Sequence, residues 1–289
     1  MSSLVETAPA ETATGDPAQR LAALRAELDA LDDALHDTLM RRAEVVGRIA
    51  ALRVKEGTPL RPGREAAILR RLLARHRGAL PRQGIVRIWR ELIAAMTELQ
   101  RPLVIAVCDD DAVALAREQF GALVALRRQP TPARALAEVA AGTVAASVLP
   151  LPTESESPAQ AWWTGLLQPD QDGRRVYVVA RLPFWVPRPE GAPRGQALVV
   201  SAAQPDPSGQ DRTFLALDLP QDSSCASLGQ VLANAGLEAG TVILRHDSGR
   251  ARALVEVEGF VTEDDPRLAA LRPSPVVVGA YAVPIEIAP

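Results

Sequence analysis

Four arginines and one glutamate near the N-terminus are the side chains of this sequence best suited to do chemistry. Arg25, Arg42 and Arg53 share one long stretch of helical periodicity, and the adjacent pair Arg64 and Glu65 follows it. A guanidinium carries several N–H donors in a planar fork, which matches the two oxygens of a carboxylate. The pattern therefore indicates a site for a small anion. The alternative is a solvated basic helix face.

A helix over residues 18–57 must carry the first three arginines. Apolar side chains recur along it at every third or fourth position: Leu21, Leu24, Leu28, Leu31, Leu35, Leu39, Val46, Ile49 and Leu52. This spacing predicts an amphipathic helix about 60 Å long. A stripe of that length needs other helices to cover it, so we expect packing against a second copy of the chain.

The positions of the arginines around the helix axis bear on whether they can share one ligand. At about 100° per residue, Arg42 and Arg53 lie about 20° apart, whereas Arg25 lies about 100° from Arg42. If all three contact one ligand, Arg25 comes most easily from a partner chain. Spacing alone does not separate this hypothesis from the solvated face.

The charge of the chain is unevenly distributed. The net charge is −3 over 289 residues, but residues 20–101 carry 17 Arg/Lys against 10 Asp/Glu, and the remainder carries 15 against 25. The basic part suits an anionic ligand, while the overall balance argues against nucleic acid. The two cysteines and three histidines show no metal-site spacing, and no apolar run reaches 18 residues. We therefore expect no metal, no membrane segment and a cytoplasmic location.

The periodicity changes along the chain and predicts several parts. Residues 1–17 have the composition of a disordered tail. Two shorter helices, at about 63–77 and 82–101, complete a helical module over 18–101. From Pro102 strands alternate with helices, which predicts an α/β domain over 102–204. A Pro- and Gly-containing linker at 204–210 leads into 205–289, where the order βαββαβ is typical of a ferredoxin-like domain.

The helical module resembles the all-helical (type II) chorismate mutases. The resemblance rests on motifs in the same order as in that family: Leu24-Arg25, Leu28-Asp29, Leu31-Asp32, Arg42-Ala43-Glu44, Arg53, Gly57, Arg64-Glu65-Ala66, Trp89-Arg90-Glu91-Leu92-Ile93 and Gln100. It implies an intertwined dimer of three-helix modules. It also implies an isomerase of aromatic amino acid biosynthesis in the shikimate pathway, which converts chorismate to prephenate by a Claisen rearrangement without a cofactor or metal.

The resemblance assigns roles to individual residues. Arg25 of the other subunit and Arg42 of the same chain would each hold a substrate carboxylate, and Arg64 would line the same site. Arg53 stands where the family usually has a lysine that contacts the breaking ether oxygen.

Two further residues complete the implied site. Glu65 would accept the substrate hydroxyl, and Gln100 would lie near the ether oxygen. Two departures from the family are visible: Pro62-Gly63 replaces an acidic residue before the Arg-Glu pair, and Met96 stands where a small hydroxyl residue is common.

The rest of the chain resembles a periplasmic-binding-like prephenate dehydratase domain followed by a regulatory ACT domain. The family's functional motifs are replaced at each place: Asp109-Asp110-Asp111, Pro152-Thr153-Glu154, Gly195-Gln196-Ala197, Ser223-Ser224-Cys225 and Ile243-Leu244-Arg245. We therefore expect a chorismate mutase whose dehydratase-like region has lost its chemistry. The alternatives are a bifunctional mutase and dehydratase, or a non-catalytic regulatory partner of a shikimate-pathway enzyme. The pair Trp162-Trp163 is expected to lie in a core or an interface.

Overall fold

The computed structural model describes residues 16–52, 58–157, 160–167, 174–247 and 249–287. The chain falls into two compact units, one ending at Leu52 and the other comprising the rest. Across the described residues, no helix combines the length and the apolar character needed to cross a membrane.

The first unit is a single helix, α1 (Pro17–Ala51), of 35 residues. It begins where the Asp16 carboxylate accepts a hydrogen bond from the Ala18 amide over 3.2 Å, and it is about 50 Å long at 1.5 Å per residue. No residue of α1 is buried, and the leucines at 21, 24, 28, 31 and 35 are 48 to 60% exposed. The predicted apolar stripe is present, and the single chain leaves it open to solvent.

The second unit contains five helices and eleven strands among its described residues. The helices are α2 (Pro62–Arg75), α3 (Arg82–Glu98), α4 (Asp110–Phe120), α5 (Pro132–Ala140) and α6 (Cys225–Asn234). The strands are β1 (Val104–Val107), β2 (Ala125–Arg128), β3 (Ala146–Pro150), β4 (Tyr177–Leu182), β5 (Trp185–Val186), β6 (Ala197–Ser201), β7 (Asp211–Leu219), β8 (Ala239–Asp247), β9 (Arg250–Glu258), β10 (Val276–Ala282) and β11 (Ile285–Glu286). Short 3-10 helices lie at Trp162–Leu167 and Pro266–Ala270.

Nine of the strands form one mixed sheet in the order β2-β1-β3-β6-β4-β10-β7-β9-β8. The pairs β1–β2, β1–β3 and β4–β10 are parallel, and the others are antiparallel. Strands β5 and β11 pair separately. The predicted βαββαβ order is seen from β7 to β10, with a 3-10 helix at Pro266–Ala270 as its second helical element.

The two halves of the sheet join between β4 and β10. Gly279 lies opposite Val178 at the junction, and a Cβ on Gly279 would lie 2.2 Å from the Val178 carbonyl oxygen. Only glycine permits this approach, and its φ of +147° is also unfavourable for other residues. One apolar core runs across the junction and includes Leu198 on one side and Phe214 on the other. Trp163 is fully buried in the same core, as expected for the tryptophan pair.

A buried polar cluster also crosses this junction. The Glu256 carboxylate, 2% exposed, accepts hydrogen bonds from Arg212 Nη1 at 2.6 Å and from the Tyr281 hydroxyl at 2.7 Å. Arg181 Nη1 donates to the same hydroxyl over 3.1 Å. Burial, with Glu256 beside it, raises the pKa of Tyr281 to about 12. The cluster links β4 and β10 to β7 and β9 at a point where neither apolar patterning nor spacing indicated a contact.

Helices α2 and α3 bury their apolar faces within the second unit. Leu69 of α2 and Val86 of α3 belong to a core that also contains Phe184, Trp185 and Ile287. The domains 18–101, 102–204 and 205–289 stay a prediction. The two compact units are a separate division of the chain. Their division follows burial, whereas the predicted boundaries follow motifs and changes of periodicity.

The N-terminus of α2 is capped by a distant residue. Asp206 accepts hydrogen bonds from the backbone N–H groups of Gly63 at 3.0 Å and Arg64 at 2.8 Å. Arg61, at the cap position of α2, makes no side-chain capping hydrogen bond of its own. A Cβ on Gly63 would lie 1.9 Å from the Asp206 carbonyl oxygen, so only glycine fits. Pro62-Gly63 stands where the resembled family has an acidic residue. The fold places the carboxylate of Asp206 beside this end of α2.

The segment predicted as a linker is thus firmly attached to α2. Arg70 donates to the Ser208 hydroxyl over 2.7 Å and to the Val283 carbonyl over 2.6 Å. Ser208 in turn donates to Asp211 over 2.5 Å. Residues 204–210 therefore connect α2 to strand β7 of the sheet through side-chain hydrogen bonds.

Replacing Asp206 by alanine is expected to lower the free energy of unfolding by about 1–2 kcal/mol, because two helix N–H groups lose their acceptor. Asp206→Asn should cost less, since one carboxamide oxygen can still accept. Urea unfolding followed by circular dichroism measures both. The matched control is Asp222→Ala, at an exposed position. Equal stability of Asp206→Ala and this control would contradict the capping role.

Candidate active site

Three of the predicted site residues lie on or directly after the first unit. Arg25 is exposed on α1, and Arg42 is half-buried on the same helix. Arg53 lies outside the described residues, so its predicted contact with the ether oxygen stays a prediction. The two described arginines are 17 positions apart on one continuous helix, as the periodicity predicted.

The other three predicted residues lie in the second unit. Arg64 and Glu65 are neighbours in the first turn of α2, with Arg64 exposed and Glu65 buried. Gln100 follows the last turn of α3 and is half-buried. Its amide donates to the Met96 carbonyl over 3.3 Å. The structure thus brings Arg64 and Glu65 together at one helix end, while Gln100 contacts its own helix.

Glu65 forms a buried ion pair that the motif did not reveal. Arg90 Nη1 of α3 donates to Glu65 Oε2 over 2.8 Å, and the two residues are 4% and 9% exposed. The Arg90 guanidinium lies 4.5 Å from the ring centroid of Phe184, a cation–π arrangement. The carboxylate predicted to accept a substrate hydroxyl is therefore held in place by an arginine from the neighbouring helix.

Burial governs the ionisation of this pair. It raises the pKa of Glu65 above its ordinary value, and the nearby Asp206 acts in the same direction, while Arg90 opposes both. Burial also lowers the pKa of Arg90. Removing a carboxylate from water costs more than one guanidinium restores unless further donors are present.

Raising the pH from about 4 to 7 is expected to lower the stability of the protein relative to its Glu65→Gln variant. Since the folded-state pKa of Glu65 is raised, the folded chain binds this proton more tightly than the unfolded chain does. The resulting stability is present below the unfolded pKa and is lost as the pH rises through the folded one. Denaturant unfolding at several pH values measures the difference. Glu98→Gln, an exposed position on α3, is the control, and an identical pH trend in both variants would contradict the shift.

A sequence signal for Arg90 does exist. Val86, Arg90, Ile93 and Thr97 recur at spacings of three and four, and all are buried on one face of α3. An arginine at a buried position of an amphipathic helix requires a partner. The periodicity could thus have indicated a buried ion pair, although not the identity of the partner.

A cavity of about 1050 Å³ lies beside this pair. Helices α3 and α4 form two walls, and residues 182–193 form the third. Arg90 and Phe184 line it, so the residue that holds Glu65 also borders the cavity. None of the five predicted site residues that the structure describes lines the cavity.

The three dehydratase-like motif positions meet at one end of the sheet. Asp109–Asp111 follow β1, 152–154 follow β3, and Ala197 at the start of β6 pairs with Pro150. A Cβ on Gly195 would lie 2.9 Å from the side chain of Asp111. The alignment of these stretches with one site is consistent with their placement.

The side chains found at that end make structural contacts. Asp109 caps α4 by accepting from the Ala112 amide over 2.7 Å. Asp110 pairs with Arg128 over 2.5 Å. Gln196 accepts from Arg181 over 3.2 Å. These contacts stabilise the fold, and residues 195–197 themselves carry no hydroxyl.

The two ACT-like motif positions are also structural. Ser224 caps α6, and its hydroxyl accepts from the Ser227 amide over 3.2 Å in a reciprocal capping box. Arg245, on β8, donates to the Glu156 carbonyl over 2.6 Å. In the described part of the chain, no three His, Cys, Asp or Glu side chains are grouped so as to hold a metal ion.

Comparison with known families supports the interpretation of the helical part. Residues 24–101 match the family described as chorismate mutase type II. This confirms the resemblance predicted from the spaced motifs between Leu24 and Gln100.

Two relatives of this chain have names that combine a chorismate mutase with a prephenate dehydratase. The bifunctional chorismate mutase/prephenate dehydratase of Stutzerimonas stutzeri is 28% identical over 148 residues, 48% of this chain and 40% of the relative. The protein of the same name from Pseudomonas aeruginosa is 30% identical over 146 residues, 47% of this chain and 40% of the relative. The matches thus span about two fifths of these relatives. Among solved structures, a prephenate dehydratase of Arthrobacter aurescens in complex with L-Phe is 17% identical, with 65% of this chain and 94% of that chain covered at a TM-score of 0.44.

Proposed function

We propose that this chain is a chorismate mutase, which acts as a homodimer, and that the region after Pro102 does not catalyse dehydration. The observation that carries the proposal is the family match over residues 24–101, within which the arginines and the glutamate of the family's site are retained. These are Arg25, Arg42, Arg64 and Glu65, with Arg53 in the place of a lysine. A scaffold or regulatory partner would need none of them.

The reaction explains why the site consists of arginines. Chorismate is a flexible dianion whose rearrangement has no covalent intermediate, so the protein has to hold a compact conformer and stabilise developing charge on the ether oxygen. Arg25 and Arg42 would each bind one carboxylate through paired N–H donors. Arg53 would place a positive charge at the ether oxygen.

The exposed stripe of α1 supports the homodimer. Its five leucines from 21 to 35 are all about half exposed in the single chain. A contiguous apolar surface of this length is unusual for a monomer and typical of an interface. Packing against a second α1 would cover it and bring the partner's Arg25 toward Arg42 of the first chain.

Arg90 acts in this proposal as a positioning residue. It fixes the orientation of the Glu65 carboxylate through the 2.8 Å bond, and Phe184 fixes Arg90 in turn. A carboxylate with a fixed direction loses less entropy when it accepts the substrate hydroxyl.

The second candidate function is a bifunctional mutase and dehydratase. It is favoured by the names of the relatives from Stutzerimonas stutzeri and Pseudomonas aeruginosa. Against it stand the motif replacements, since Gly195-Gln196-Ala197 offers neither a hydroxyl nor a guanidinium for acid-assisted loss of water.

An assay of the purified protein with chorismate separates these functions. The expected result is loss of chorismate and accumulation of prephenate, without phenylpyruvate. Arg42→Ala should abolish the reaction, whereas the control Arg41→Ala, at an exposed neighbouring position, should not. Formation of phenylpyruvate, abolished by a change within residues 103–204, would establish the bifunctional alternative. Absence of turnover by the dimeric protein would contradict the mutase proposal.

A further inference from the structure

The cavity between α3, α4 and residues 182–193 has the size and walls of a ligand site. Its volume of about 1050 Å³ is at the upper end of the range of small-molecule pockets, about 300–1000 Å³. Apolar groups form much of the wall, among them Ile88, which is 53% exposed, and the prolines at 183, 189 and 193. The walls therefore offer apolar surface that a ligand could cover.

Two carboxylates at this cavity are already engaged by the protein. Glu118 accepts from the Trp185 indole N–H over 3.0 Å and from both terminal nitrogens of Arg188, one of them at 2.6 Å. Glu91 accepts from the Ala122 amide over 3.0 Å. A third, Glu190, is exposed. The charge of Glu118 is thus neutralised by Arg188, and one oxygen of Glu91 is already bonded to a backbone N–H before any ligand arrives.

The cavity carries the side-chain amides of Gln83 and Gln119, and its arginines add open hydrogen-bond donors. Arg90 is 4% exposed, yet among its five N–H donors only one, on Nη1, has a hydrogen-bond partner in the described chain. Arg188 Nε is buried and has no hydrogen-bond partner among the described residues. Arg87 and Arg117 line the same cavity and are exposed. A buried guanidinium with spare donors is costly unless an acceptor reaches it.

We propose that this cavity binds a small organic carboxylate with an apolar body, whose oxygens take the free donors of Arg90. The carboxylate matches the planar donor fork, and the body covers Ile88 and the proline wall. The site is distinct from the proposed mutase site, because it is lined by residues of α3, α4 and 182–193, and Arg25, Arg42, Arg64, Glu65 and Gln100 are not among them.

The shared guanidinium makes a second consequence testable. Glu65 and the ligand both draw on Arg90, so the two carboxylates compete for one positive charge. Removing the charge of Glu65 leaves Arg90 with only the smaller electrostatic effect of Glu118 and should strengthen ligand binding. This consequence concerns binding alone and holds whether or not the chain is a mutase.

Isothermal titration calorimetry of the full-length protein with 3-phenylpropanoate tests the proposal. The expected result is binding of one ligand per chain, with 3-phenylpropanamide at least about tenfold weaker because it lacks the charge that pairs with Arg90. Ile88→Glu should weaken binding of the carboxylate by at least about tenfold, since it places a negative charge on the wall. The matched control Val231→Glu, on α6 and outside the cavity, should bind normally.

Glu65→Gln gives the sharpest result, because it is expected to tighten 3-phenylpropanoate binding several-fold while Glu98→Gln leaves it unchanged. Equal affinity for the acid and the amide would overturn the proposal. It would also be overturned if millimolar inorganic phosphate displaced 3-phenylpropanoate and Ile88→Glu left the affinity for 3-phenylpropanoate unchanged. No detectable binding by a folded protein would also overturn it. The mutase assay is unaffected by these outcomes, so failure here is distinguishable from failure of the proposed function.

Discussion

Replacing Arg53 by glutamine is expected to lower kcat for the conversion of chorismate to prephenate by about 10²–10³-fold, the usual effect of losing one donor to a developing oxyanion. The proposed role of this residue is to place positive charge at the ether oxygen as its bond breaks. That charge is felt mainly in the transition state, so KM should change much less than kcat.

Lysine is the informative replacement at this position. Arg53→Lys keeps the charge on a smaller and more flexible group, and we expect kcat within about tenfold of the native value. Arg48→Gln, at an exposed position on α1, controls for loss of charge on the same helix. Stopped assays at saturating chorismate give kcat for all three. Near-normal kcat in Arg53→Gln would show that the residue does not face the ether oxygen.

Mixing Arg25→Ala chains with Arg42→Ala chains is expected to restore activity from two inactive proteins. If each site takes Arg25 from one chain and Arg42 from the other, a mixed dimer has one site with both arginines and one site with neither. Statistical exchange makes half of the dimers mixed, so about a quarter of native activity should return.

The exchange itself has to be verified independently. Differently tagged chains, unfolded together and refolded, allow the mixed dimer to be isolated and assayed. The double variant carrying both replacements, mixed with Arg42→Ala, is the control and should recover nothing. A verified mixed dimer without activity would show that both arginines serve one site from the same chain, or that they serve no common site.

The sequence by itself determined the local structure of this chain. The three-to-four-residue repeat of leucines predicted α1, observed at Pro17–Ala51, and the period change at Pro102 predicted the strands and helices that follow. Such predictions succeed because the side chains of one face of a helix or strand are set by neighbours within a few residues. The sequence did not predict short elements without a clear period, such as β2 and the 3-10 helix at Trp162–Leu167.

The motifs by themselves also identified the family of the helical part. Each matching motif spans only a few consecutive residues, so recognising it does not depend on distant residues. Residues 24–101 accordingly match chorismate mutase type II. The roles of Arg25, Arg42, Arg53, Arg64, Glu65 and Gln100 stay predictions that the experiments above test.

Only the tertiary structure decided which distant groups meet. Asp206 caps α2 from 142 residues away along the chain, and Phe184 covers Arg90, which holds Glu65. The sheet continues across Gly279 and Val178 although two separate domains were predicted. No periodicity encodes these contacts, because each depends on how whole elements pack to bury their apolar faces. Once the elements are packed, a buried charged side chain is stable only where an oppositely charged or hydrogen-bonding group lies beside it.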